Sequence, residues 1–287
     1  MIRRILVALD GSPSSAAASA VALRLAGRYK AGIYALGILD ADFIQRPQPV
    51  PVGAMSYKHA LDLKLLTDAA QRVAAVLDDF SSRARKAGVD HVSEHVKGDA
   101  RSAIEAAATG CDMIVVGKTS LYSADGEISS MPIAIEKLLR NGVRPLLVVP
   151  DRQMVGDTGR ELSPVVVAFD GSVVSSRALH LFALLGLGRG RQVNVLTQND
   201  GSTKNAEAAA TQACKFLRAH GLRRVRAIGL GDQEAGKPAE SILGTAKSID
   251  ASMIVMGAYG HRGMQEMFGS CTRSVLSGLQ TPLFMYH

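Results

Sequence analysis

Most of this chain is written twice, and any fold for it must accept two copies of one plan. Residues 2–9, IRRILVAL, run into Asp10-Gly11-Ser12, and residues 164–169, PVVVAF, run into Asp170-Gly171-Ser172, 160 positions later. An alanine- and leucine-rich stretch follows each turn, SSAAASAVALRLAGRY in the first copy and SSRALHLFALLGLG in the second. Further on, DMIVVG ending at Gly117 returns as SMIVMG ending at Gly257, 140 positions apart. RPLLVV around Pro145 returns as TPLFMY around Pro282, 137 positions apart. The order of segments is kept while the spacing shrinks, so the copies differ in their loops. The larger insertion falls in the proline-bearing segment DADFIQRPQPVPVGAMSYKH of the first copy. Proline lacks an amide donor, so this segment reads as an extended loop.

The 287 residues are enough for about two domains at ~150 residues each. The expected domains are 1–150 and 164–287, joined by the polar, glycine-containing linker DRQMVGDTGRELS. Within each copy, short apolar runs alternate with helical periodicity. The runs are ILVAL, GIYALGIL, HVSEHV, MIVVG and PLLVVP in the first copy, and VVVAF, QVNVLTQ, RVRAIGL, MIVMG and PLFMYH in the second. Leu61, Leu65, Val73, Val76, Leu77 and Phe80 mark one apolar helical stripe. Near-continuous apolar strands separated by helices imply a parallel sheet covered on both faces. The expected fold class is therefore α/β, two tandem doubly wound domains of five parallel strands each, for which the order 3-2-1-4-5 is taken as a supposition.

Composition narrows the function classes. No apolar run approaches the ~18 residues that cross a bilayer. The apolar stretch Ile5–Leu9 is too short for a signal peptide, so the expectation is a cytoplasmic protein with no membrane partner. Cys111, Cys214 and Cys271 form no CxxC pair, and the histidines are scattered along the chain, so neither a disulfide framework nor a metal site is expected. The net charge of +7 favours anionic partners. Its positive residues are dispersed, aromatics are 5 % and Trp is absent, so no nucleic-acid surface is expected.

With strand order 3-2-1-4-5, the loops after strands 1 and 4 diverge to opposite faces and open a crevice at the carboxyl ends of the strands. In the second copy those loops are Asp170-Gly171-Ser172 and the segment MGAYGHRGMQEMFGS, residues 256–270. Gly257 and Gly260 let the backbone approach a ligand closely. Gly269-Ser270 opens a last helix expected over 270–279, whose start suits phosphate. Arg262 offers a charged fork for phosphate oxygens. Asp170 offers an acceptor for an adenine amino group or a ribose hydroxyl. The same residues also fit plain turn and capping chemistry, with Ser270 a cap, His261 a solvent-facing loop residue and Tyr259 a packing group.

VALDGSPSSAAASAVALRLA, VVVAFDGSVVSSRALHLFALL, MIVVGKTS, MIVMGAYGHRG and GSCTRSVLSGLQTPLFMYH together resemble the universal stress protein family in its tandem two-domain form. The resemblance implies a G-2x-G-9x-G-(S/T) motif that holds the phosphates and ribose of ATP. Here it falls on Gly257, Gly260, Gly269 and Ser270, with eight residues, HRGMQEMF, where the family has nine. The implied nucleotide-binding set is Ala168, Phe169, Asp170, Thr197, Met256, Gly257, Gly260, His261, Arg262, Gly269, Ser270 and Cys271. The implied cofactor is ATP or another adenine nucleotide, with or without Mg2+. In the first copy Ser120 replaces the second glycine and Pro132 stands where Gly269-Ser270 would be, so that copy is expected to have lost this mode. The resemblance also implies that PLLVVP and PLFMYH pair across a pseudo-twofold, making an internal pseudo-dimer. Association of two chains into a homodimer and a protein partner stay open.

Three functions follow. The first is a stress-response regulatory protein that binds an adenine nucleotide, mainly in the second domain, and hydrolyses it slowly if at all. The second is a nucleotide-free interaction platform. The third is an adenylating enzyme of the wider α-hydrolase-like group, against which the short loop DGSVVSSR stands. No Walker-type GxxxxGK[ST] is present.

Overall fold

The computed structural model describes residues 1–45, 55–119, 135, 138–140, 144–151, 164–199, 202–231, 236–258 and 269–287. Ten strands form one sheet. The first copy supplies β1 (Arg4–Leu9), β2 (Gly32–Leu39), β3 (His91–Lys97), β4 (Met113–Gly117) and β5 (Leu146–Val149). The second supplies β6 (Val165–Ala168), β7 (Val193–Asn199), β8 (Val225–Gly231), β9 (Met253–Gly257) and β10 (Leu283–Tyr286). The order across the sheet is β3-β2-β1-β4-β5-β10-β9-β6-β7-β8. Each copy thus carries the expected order 3-2-1-4-5, and within each copy all pairings are parallel.

The halves meet at β5 and β10, which pair antiparallel with Leu283 opposite Val148, Phe284 opposite Leu147 and Met285 opposite Leu146. This is the pseudo-twofold pairing that the resemblance implies. All four residues of β5 are buried. Left open, an apolar edge of that kind would template further strand addition. Each copy covers the other's edge. Because the junction is antiparallel, the carboxyl ends of the two strand sets point to opposite rims of the sheet.

Helices cover both faces. On one side lie α1 (Pro13–Tyr29), α3 (Met55–Lys86), α5 (Val173–Leu185) and α6 (Thr203–Ala219), packed on Ile5, Val7, Val165, Val167 and Phe284. On the other lie α4 (Ala100–Ala108), α7 (Pro238–Ser248) and α8 (Ser270–Ser277), packed on Leu6, Ile114, Val166, Ile254 and Met285. Side chains alternate between the faces along each strand, which is why odd and even positions of VVVA and MIVM enter different cores.

The local chemistry of α1 and α5 is the same. Ser12 and Ser172 cap them in extended conformation, accepting from the amides of Ser15 and Ser175. The glycine before each cap has positive φ, +82° at Gly11 and +78° at Gly171, a conformation other residues adopt at a cost. Asp10 and Asp170 brace these turns, each accepting from the amide of the serine two residues on, at 2.9 and 3.0 Å.

Three expectations differ from the structure. The inserted segment is not an extended loop throughout, since α2 (Ala41–Ile44) and the start of α3 at Met55 lie within it. Past the last proline the sequence favours helix, and Lys58 pairs with Asp62 one turn on. The apolar stripe of α3 is buried only from Ala69 onward, and Leu61 and Leu65 are 41 % and 44 % exposed. The cause is length. At 1.5 Å per residue the helix of 32 residues is about 48 Å long, roughly twice the strands it covers. Its first turns project past the sheet. The last helix ends at Ser277, where Gly278 closes it, rather than at 279.

Candidate functional site

The two turns of the second copy converge. Gly257, at the end of β9, lies against the first turn of α5, where a Cβ on it would stand 2.8 Å from the Ser175 amide nitrogen and 2.9 Å from the Val174 carbonyl carbon. Only a residue without a side chain lets β9 end there. Beyond it, the Ala258 amide donates to the Tyr286 carbonyl at 2.9 Å, which extends the β9–β10 ladder. The buried Thr272 hydroxyl donates to the Ala258 carbonyl at 2.8 Å and so ties the first turn of α8 to the end of β9.

Asp170, at the end of β6, and Cys271, in the first turn of α8, share this space. Burial pushes the Cys271 thiol pKa up, and the Asp170 carboxylate pushes it further the same way. Ala168, Met256 and Cys271 pack on the same core face, between α7 and α8. Gly269 is the N-cap of α8, and no side chain among the described residues caps that helix, so Ser270 is its first residue and not its cap. An uncapped helix start presents free amides and the positive end of the helix dipole.

Phe169 and Thr197 sit differently. The Phe169 amide donates to the Leu196 carbonyl at 2.9 Å, and Phe169 packs on the opposite core face from Ala168. Alternation along β7 turns Thr197 to that same opposite face. Thr197 is buried, and its hydroxyl has no hydrogen-bond partner among the described residues. The structure therefore gathers Ala168, Asp170, Met256, Gly257, Gly269, Ser270 and Cys271 at one end of the sheet, with Phe169 and Thr197 across the strand layer. Gly260, His261 and Arg262 lie outside the described residues. Among the described residues no atom stands within 4 Å of where a Gly171 Cβ would be.

At the matching place in the first copy the two turns are tied to each other. The Ser12 hydroxyl donates to the Thr119 carbonyl at 3.1 Å. The Ser14 hydroxyl also donates to that carbonyl and accepts from the Thr119 amide. The Thr119 hydroxyl donates to Asp151 at 2.6 Å. Arg72 of α3 lies over Gly11, its Cγ 3.0 Å from where a Cβ would be. In the second copy Val174 stands where Ser14 does and carries no hydroxyl. Ser120 and Pro132, the two departures read in the sequence, lie outside the described residues.

Sequence reasoning passed over Thr272, Arg72 and the Ser14–Thr119 contacts. Val174 against Ser14 in the aligned repeats was the available signal for the last. Nothing in the sequence pattern placed Arg72 over Gly11, because that depends on how α3 crosses the sheet.

Among the described residues no helix is long and apolar enough to cross a membrane. No curated protein matches the chain. A universal stress protein from Archaeoglobus fulgidus shares the fold, with 19 % identity and a TM-score of 0.61 over 99 % of this chain and 97 % of that one. A functionally unknown protein from Pseudomonas aeruginosa does so at 18 % identity and a TM-score of 0.59, over 99 % and 92 %. The family model described as Universal stress protein family matches residues 1–150 and again 161–287. With both copies matched, the chain belongs to the universal stress protein family, in its tandem two-domain form.

Proposed function

We propose that this is a cytoplasmic stress-response regulatory protein that binds ATP or a related adenine nucleotide at one place, the crevice of the second domain. The observation that carries the reading is the pairing of Asp170 with the uncapped start of α8. A carboxylate and a helix N-terminus facing one space suit a ligand with hydrogen-bond donors at one end and negative oxygens at the other. In this reading Asp170 accepts from the base or ribose, and the amides of Ser270 and Cys271 face the phosphates. Gly257 keeps the backbone close, and Ala168 and Met256 give the apolar wall. Gly260, His261, Arg262 and Gly269 complete the set, with Phe169 and Thr197 supporting it from behind. Among the described residues no three His, Cys, Asp or Glu side chains converge as a metal site. A Mg2+ ion would accordingly be held chiefly by the triphosphate.

Melting curves with and without ATP test the reading. At a hundredfold excess over Kd, binding adds about 2.7 kcal/mol of stability. The Asp170→Ala variant is expected to lose that gain. No gain in the parent protein supports the interaction-platform reading instead. Release of pyrophosphate from ATP with an acceptor present supports the adenylating one.

A further inference from the structure

The helix that starts at the second crevice ends at the first domain. α8 has eight residues, about 12 Å of helix. It runs antiparallel to its strands, so its carboxyl end reaches the rim at which the first domain's strands end. There Lys118 of the first domain donates its ammonium to the Ser277 carbonyl, the last of the helix, at 2.8 Å. Lys118 directly follows β4, and its amide donates to the Val149 carbonyl at 2.7 Å. Ala258 makes the same backbone bond to Tyr286 in the second domain. The two positions are equivalent, and only the first domain carries an amine there. Lys118 is half-buried; desolvation lowers its pKa while Asp151 raises it. Asp151 is held in turn by the Thr119 hydroxyl. Thr119, which is bonded to the Ser12–Ser14 turn, therefore also steadies the lysine through Asp151.

A helix of eight residues does not hold itself in water, so tertiary contacts fix its place. Among the described residues, polar side-chain contacts tie α8 at each end. Thr272 binds Ala258 from within the second domain, and Lys118 reaches Ser277 from the first. A cation at a helix carboxyl end also complements the dipole whose positive end faces the crevice.

We propose that Lys118 is a positioning residue for the second domain's ligand helix, and that the first domain thereby anchors the site of its neighbour. This rests on reading the second crevice as a nucleotide site. It also gives the first copy a role in the site of the second.

Two readouts on the full chain test it. The first is ATP affinity by titration calorimetry for the parent, Lys118→Met and Lys118→Arg. Lys118→Met is expected to bind about three- to tenfold more weakly, with the free protein's melting temperature nearly unchanged. Lys118→Arg is expected to recover most of the loss. Equal affinity in the parent and Lys118→Met overturns the proposal, as does a loss of affinity matched by a general loss of stability. The second readout is hydrogen exchange of the α8 amides without ligand. They are expected to exchange faster in Lys118→Met, while those of α7 do not. If the parent binds no adenine nucleotide, the nucleotide reading fails on its own, and the exchange result decides whether the anchor exists. Unchanged α8 exchange then overturns it.

Discussion

The end of β9 and the start of α5 touch at Gly257 and Ser175, with 2.8 Å between the Ser175 amide nitrogen and the position a Gly257 Cβ would take. Its counterpart, Gly117, meets Ser14 in the same way, at 2.7 Å from the Ser14 carbonyl carbon. A methyl at either position forces backbone apart in a packed region. Gly257→Ala is expected to cost about 1–3 kcal/mol in urea unfolding and to abolish nucleotide binding. Gly117→Ala is expected to cost a similar amount and to weaken binding at most several-fold, through the neighbouring Lys118, without abolishing it.

Asp10 and Asp170 make the same turn bond, so they separate structure from function. Each replacement by alanine removes the hydrogen bond to a serine amide, which contributes about 1 kcal/mol, together with whatever else the carboxylate holds. Asp170→Ala is expected to lose ATP affinity at least tenfold, and Asp10→Ala to keep it. Thermal melts and ligand titration of both variants check the contrast.

The Cys271 thiol is held protonated, first by burial and then by Asp170. Its folded pKa lies above the ordinary thiol value of 9.0, so the folded chain binds more protons than the unfolded one at alkaline pH. The stability from this group is complete below that ordinary value and is lost as pH rises through the folded pKa. Cys271 is expected to react slowly with iodoacetamide at neutral pH. Asp170→Asn is expected to speed the reaction, because the second of the two causes is gone. An unchanged rate would mean that the carboxylate does not face the thiol.

Phe284 is fully buried at the β5–β10 junction, edge-on to Phe182 with ring centroids 6.5 Å apart. Phe284→Ala is expected to cost about 3–5 kcal/mol. Since the junction joins both cores in one sheet, probes placed in either half are expected to report one shared unfolding midpoint. Separate midpoints in the parent would show that the halves fold independently.

The repeat made the fold legible. VALDGS and VVVAFDGS, followed by alanine-rich helices, located β1 and β6 with their caps, and the paired MIVVG and MIVMG runs located β4 and β9. Alternation of strand and helix implied parallel strands with covered faces, but it did not fix their order, and 3-2-1-4-5 was a supposition that the sheet bears out. The projection of α3 was not legible, since periodicity records which side of a helix is apolar and not how far the sheet beneath it extends. The convergence of Asp170, Gly257 and Cys271 followed from topology. The lysine reaching Ser277 did not, because it crosses a junction that sequence spacing does not describe.

The central claim is that only one of the two crevices takes a nucleotide. Calorimetric titration of the full chain with ATP tests it most directly. The account predicts one site per chain, kept in Asp10→Ala and lost in Asp170→Ala. Two sites per chain, or one that Asp10→Ala removes and Asp170→Ala leaves intact, would contradict it.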